Sequence, residues 1–188
     1  MLLKFARHLA RSISRCFLPL RRIRLMLSCA CLAAVSASIQ PSMAADAALK
    51  SDINDYYDEH LSELFLWFHQ NPELGFLEQQ TAARLASELR ALGIDVTEGV
   101  GGTGLVGMIE NGAGPLVLVR ADMDGLPILE ESGLSYASRN RQINFEGEEV
   151  PVMHACGHDM HMTTLVGTAK MLMDNRDSWS GSVMLVGQ

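Results

Sequence analysis

From residue 49 onward the chain alternates between two hydrophobic periods, and that alternation limits it to mixed layers of helix and sheet. The stretch "LKSDINDYYDEHLSELFLWFHQNPELGF" places Leu61, Leu64, Phe65 and Phe68 at helical spacing. Ser51 or Asp52 can cap its start, and Pro72 ends it. A second helix is predicted from Glu78 to Leu92, stopped by Gly93. The period then changes. "IDVTEGVGGTGLVGMIENGAGPLVLVRADMDGLPI" reads as a strand, a glycine-rich turn, a second strand "GLVGMIE", an "NGAG" turn of hairpin type and a buried strand "PLVLVRAD". Residues 138–150 are polar and predict a surface loop, a third helix is predicted from Asp159 to Met173, and "GSVMLVGQ" reads as a further apolar strand. Helices alternating with apolar strands define an α/β class. There is no internal repeat and no low-complexity tract. Because no cap, turn or covering helix follows the last strand, the expectation is a domain interrupted in mid-fold.

The first 44 residues do not share this pattern. Residues 1–24 carry Lys4, Arg7, Arg11, Arg15, Arg21, Arg22 and Arg24 with no acidic group, and the apolar run Leu25–Ile39 and the small-residue stretch "PSMAADA" follow. A basic region, a short apolar core and a small-residue cleavage site describe a secretory signal peptide, with the cut after Ala44. An apolar run of this length is too short for a membrane anchor, so no stable span is expected after cleavage. Residues 45–188 then form the mature chain, in the periplasm or secreted. It retains eight basic residues against 22 acidic ones, a formal net charge of −14. Such a surface repels nucleic acid and anionic lipid, and neither is expected as a partner.

Cys16, Cys29 and Cys31 lie in or beside the leader, which leaves Cys156 alone. A single thiol in an oxidising compartment forms no internal disulfide and calls for another reason. That thiol sits inside "MHACGHDMH", residues 153–161, with three of the chain's six histidines. In extended backbone His154, Cys156 and His158 can project to one face, and thiolate and imidazole are ligands for zinc and its neighbours. Gly157 allows a tight turn, Asp159 can cap the following helix, and His158 and His161 are neighbours on it. A second constellation, "RADMDGLPI", sets Asp122 and Asp124 at the end of an apolar strand. There they can bind a metal or orient a metal-bound histidine, or they are simply solvated turn residues. The glycine-rich "GVGGTGLVG" has no basic residue suited to phosphate and reads as a tight strand connection.

Taken together, "FHQNPELGFLEQQT", "GVGGTGLVG", "VRADMDGLPI", "MHACGHDMHMTTLVGTAKML" and "GSVMLVGQ" resemble the M20 metallopeptidase/amidohydrolase family. The matching branch holds hippurate hydrolases, N-acyl amino-acid amidohydrolases and auxin-conjugate hydrolases. The departure at Met160, where the family has glycine, leaves the ligands untouched. The resemblance implies an α/β/α layered catalytic domain, incomplete here, with the lid domain absent and no basis for a homo-oligomer without it. It implies hydrolysis of N-acyl amino acids or similar amides and peptides by two divalent ions (zinc, manganese, cobalt or nickel) that activate a shared water and polarise the carbonyl. By resemblance Cys156 and His158 are metal ligands, and Asp124 is the supporting aspartate beside the metals. Asp122 stands where another branch has a metal-binding histidine and is not expected to be a ligand, while His154 and His161 support the ligands or face the substrate. The family's general-base glutamate and remaining ligands belong to segments without a counterpart in these 188 residues, so the isolated chain is expected to be inert.

Two other readings compete. Met153, His154, Cys156, His158, Met160, His161 and Met162 make a soft-ligand string that would suit an exported copper-handling module. That reading leaves "RADMDGLPI" and "HQNPELGF" without a purpose. The other is an inactive gene remnant.

Overall fold

The computed structural model describes residues 46–188, and Lys50–Gln188 forms a compact unit. The expected leader and its cleavage site lie outside the described residues. The first helix, α1, is helical through residue 56, widens into a π-turn over Tyr57–Leu61 and continues over Ser62–Gln70. It already runs at residue 50, so neither Ser51 nor Asp52 caps it as the sequence suggested. Leu61, Leu64 and Phe68 supply its buried face, while Phe65 is only partly covered. Helix α2 (Gln79–Ala91) buries Leu85 and Leu89 and ends at Leu92, with Gly93 beyond it at φ 79°. Its start is capped from a distance: both carboxylate oxygens of buried Glu73 accept backbone N–H groups, from Gln80 at 3.2 Å and Thr81 at 2.8 Å. Those are two of the donors a helix start leaves without partners.

The strands follow as β1 (Asp95–Val100), β2 (Gly104–Asn111) and β3 (Leu116–Ala121); then come the short β4 (Arg141–Ile143) and β5 (Glu149–Pro151), helix α3 (His158–Asp174) and β6 (Gly181–Gly187). The main sheet has the order β1-β2-β6-β3. β1 and β2 are antiparallel, β6 is antiparallel to β2, and β3 is parallel to β6. The hairpin expected at "NGAG" is therefore replaced. β2 and β3 do not pair, because the much later β6 lies between them with Ile109 opposite Val183 on one side and Val117 opposite Val183 on the other. Short-range turn chemistry predicted a neighbour pairing, and a strand 70 residues beyond β2 took the place.

Along β6 the side chains alternate: Gly181, Val183, Leu185 and Gly187 are buried, and the residues between them are half-covered. Leu105 and Ile109 of β2 join the buried side, and Leu85, Leu89, Leu165, Val166, Leu64 and Phe68 pack over it from the helices. Each of these large side chains contributes about 1.5–3 kcal/mol by leaving water. Helix α1 approaches α3 closely where Gly167 stands, since a Cβ there would lie 2.9 Å from Leu61 Cδ1. The helices thus cover one face of the sheet through one core, in the α/β class read from the sequence. Two local expectations change. β3 was read as a buried strand, yet Leu116, Val117 and Leu118 are all more than half exposed, because β3 is an edge strand among the described residues. The polar segment 138–150, read as a loop, pairs as the hairpin β4–β5. Among the described residues no helix is long and apolar enough to cross a membrane.

Candidate metal centre

β3 delivers Ala121 to the end of the sheet, where Gln188 N–H still donates to Ala121 O at 3.0 Å and Met123 N–H donates to Gln188 O at 2.8 Å. Asp122 and Asp124 follow at this carboxyl edge, the place where open α/β sheets bind ligands. After the β4–β5 excursion the chain returns to the same edge at residues 153–157. The extended run expected there does not form. Residues 155–156 turn, Gly157 adopts φ 76° and serves as the N-cap of α3, and His158 opens the helix. His154 is consequently buried, Cys156 is exposed, and the three do not share a face. Asp159 is not the N-cap residue, a place Gly157 takes, but its Oδ1 accepts the Met160 N–H of the first turn at 2.8 Å while its Oδ2 faces His69.

What converges instead is Asp122, His158 and His161, which offer one ligand atom each, all within 4.8 Å of one another. Asp122 Oδ2 lies 3.9 Å from His158 Nε2 and 3.5 Å from His161 Nδ1. The two imidazoles come from one helix at i and i+3, with ring centroids 5.1 Å apart. Asp124 lies beside the group: His158 Nδ1 is 2.8 Å from its Oδ1 and 2.9 Å from its backbone carbonyl. With Nδ1 facing these acceptors, Nε2 is the ring nitrogen turned toward Asp122, the orientation in which a metal would use it. On its other side Asp122 pairs with Arg120, whose Nε donates to Gln188 Oε1 at 2.8 Å.

Beneath this group lies a buried polar chain that sequence reading passed over. On α1, His69 Nδ1 is 2.7 Å from Asp159 Oδ2, and its Nε2 is 3.3 Å from Glu130 Oε1. Burial alone would raise the Glu130 carboxyl, but Ser132, the Ser138 N–H and His69 all donate to it and hold it below the ordinary value. The only sign of this network in the sequence was the His69 inside "FHQNPELGF". His154 has both ring nitrogens buried without a hydrogen-bond partner. Burial pushes its pKa below the usual histidine value, while the nearby Asp159 carboxylate acts the other way.

The donor chemistry fits a divalent ion of the zinc, manganese, cobalt or nickel type: two imidazole nitrogens and a carboxylate oxygen, with one imidazole already oriented. Cys156 stands outside the three-donor group. The soft-ligand string does not converge either: Met162 is fully buried in the core while Met160 is 45% exposed. Cavities of about 290 Å³ and 210 Å³ flank the group, sharing Arg120 and Asp122 in their walls.

The histidine–carboxylate group at the carboxyl edge of this α/β sheet has the donor set of a divalent-metal centre. Residues 118–188 match peptidase family M20/M25/M40, and the chain belongs to this family. It is 41% identical over 142 residues to thermostable carboxypeptidase 2 of Saccharolobus solfataricus, covering 74% of this chain and 34% of that protein. It is 44% identical over 105 residues to the hippurate hydrolase of Campylobacter jejuni, covering 55% of this chain and 25% of that one. Among solved structures it is similar to the YXEP protein of Bacillus subtilis, described as a dinuclear metal binding peptidase, at 31% identity and a TM-score of 0.62, covering 71% of this chain and 35% of that one. The chain thus spans about a third of the length of the first curated relatives it matches.

Proposed function

We propose that this centre serves the hydrolysis of an amide bond in N-acyl amino acids or similar small amides and peptides. The observation that carries the reading is the Asp122–His158–His161 group with Asp124 holding the His158 ring, set at the sheet edge of an M20-family chain. Similarity to a hippurate hydrolase and a carboxypeptidase supports the substrate class. When bound, a divalent ion supplies Lewis acidity, polarising an amide carbonyl and lowering the pKa of water. The chain's own residues place it: Asp122 and the two imidazoles hold it, and Asp124 orients the His158 ring. Titration calorimetry of the full chain tests this. N-acetylalanine is expected to bind with zinc or manganese present and to be lost with a chelator. Equal binding with and without metal would overturn the reading.

Residues 1–44 we propose as an export leader, on their basic start, apolar core and small-residue end. Expressed in a Gram-negative host, the protein is expected in the periplasm with its N-terminus at or near Ala45. Amino-terminal sequencing that finds residue 1 on a cytoplasmic product would refute the proposal.

A further inference from the structure

Phe76 occupies a backbone position that its residue type does not favour. It is the one non-glycine residue with positive φ among the described residues, at 64°. It sits in a tight turn closed by the Leu77 N–H donating to Leu74 O at 2.9 Å, with Gly75 and Phe76 at the corners. A turn with positive φ at its third residue ordinarily takes glycine there. Here the glycine stands one place earlier, where φ is not positive and a Cβ would make only ordinary contact, 3.8 Å from Asp124 Cβ. The left-handed region is strained for a bulky side chain. Packing does not offset that strain, because Phe76 is 78% exposed.

The turn is fixed to the metal-site loop. Gly125 N–H donates to Glu73 O at 2.6 Å, and Leu74 bridges Gly125. Phe76 lines the 290 Å³ cavity together with Asp122 and Asp124, and Gly101 of the turn between β1 and β2 adds a wall without a side chain. Strain that no packing repays, placed at the wall of a cleft next to reactive groups, is the usual mark of a side chain held for a ligand. We propose that Phe76 forms the apolar face of a subsite taking an aromatic or broad apolar substituent of the amide substrate, whose carbonyl lies at the Asp122–His158–His161 group. This rests on the amidohydrolase reading above.

The test compares N-benzoylalanine with N-acetylalanine on the zinc-loaded full chain by titration calorimetry, alongside zinc affinity and thermal melting. Wild type is expected to prefer the benzoyl compound. Phe76→Ala should weaken that compound about tenfold, leave N-acetylalanine within about twofold and leave zinc affinity unchanged. Phe76→Tyr should keep the preference, and Phe76→Gly should raise Tm by releasing the strained turn while losing the preference. A Phe76→Gly protein that melts lower would show the ring packed against the chain and overturn the proposal. So would a Phe76→Ala protein that binds both compounds as wild type does. If wild type takes N-acetylalanine in a zinc-dependent way but the benzoyl compound no better, the subsite alone fails. If it binds zinc yet neither amide, the hydrolase reading fails and the subsite with it.

Discussion

Replacing His69 with alanine is expected to destabilise the chain by about 3–5 kcal/mol, which for a protein of this size lowers Tm on the order of 10 °C. The magnitude follows from what is left behind. The side chains of His69, Asp159 and Glu130 are 12%, 5% and 2% exposed, so removing the imidazole takes the shared ring from between two carboxylates that water hardly reaches, leaving Ser132 and the Ser138 N–H on Glu130 and the Met160 N–H on Asp159. His69→Asn should recover part of the loss, since its amide can donate from near the Nδ1 position toward Asp159. His69→Gln, which reaches toward Glu130 instead, should recover less. The pH dependence carries the same signature. Glu130 is held below its ordinary pKa, so its contribution is present above the unfolded value near 4.3 and disappears as pH falls through the lower folded value. Wild type should therefore lose stability in acid more steeply than Glu130→Gln. Thermal melts between neutral and acid pH decide the matter, and a His69→Ala protein that melts within about 2 °C of wild type would end the argument.

The second large effect is on metal. His158→Ala is expected to lower zinc affinity at least about a hundredfold, and Asp124→Ala about tenfold to a hundredfold by releasing the ring it orients. Affinity should weaken as pH is lowered, because protons compete with the ion for the donor atoms. His158 belongs both to the three-donor group and to the ligand pair implied by family resemblance, so its loss leaves either without a centre. Cobalt spectroscopy separates the two. The Asp122–His158–His161 group predicts no thiolate-to-cobalt charge-transfer band and little effect of Cys156→Ala. A band that disappears in Cys156→Ala would place the thiol on the ion and shift the turn at residues 155–157 from its present course. Zinc binding retained in His158→Ala would remove the candidate centre.

Helix periods carried much of this architecture in plain view. Leu61, Leu64 and Phe68 recur at the spacing one buried face requires, and Gly93 and Pro72 mark helix ends by mechanisms that need no tertiary partner. What stayed hidden depends on partners distant in sequence. Nothing near "NGAG" reveals that β6 will separate β2 from β3, because strand order is decided by which apolar edge finds which. The site was half legible for the same reason. "MHACGHDMH" pointed to a metal cluster, and Asp124 lies beside His158. The αL turn at Gly157 leaves Cys156 exposed, and Asp122, His158 and His161 are the side chains that meet. The Glu130–His69–Asp159 chain joins residues 61 and 90 positions apart, beyond the reach of any local pattern.

The place of β6 at the centre of the sheet also sets an order of events. A ribosome releases β1, β2 and β3 well before residues 181–187, so for that interval the sheet exists as a hairpin and a lone apolar strand facing a vacant slot. Neither half has its mate, and both present open edges of the kind that recruit other chains. The closing step threads seven residues between two waiting edges, antiparallel on one side and parallel on the other, and the β3 side requires α3 to be already crossing over. Non-local pairing of this kind is slow. The chain is therefore exposed to aggregation until β6 arrives, and a holdase chaperone acting in that window would raise its yield.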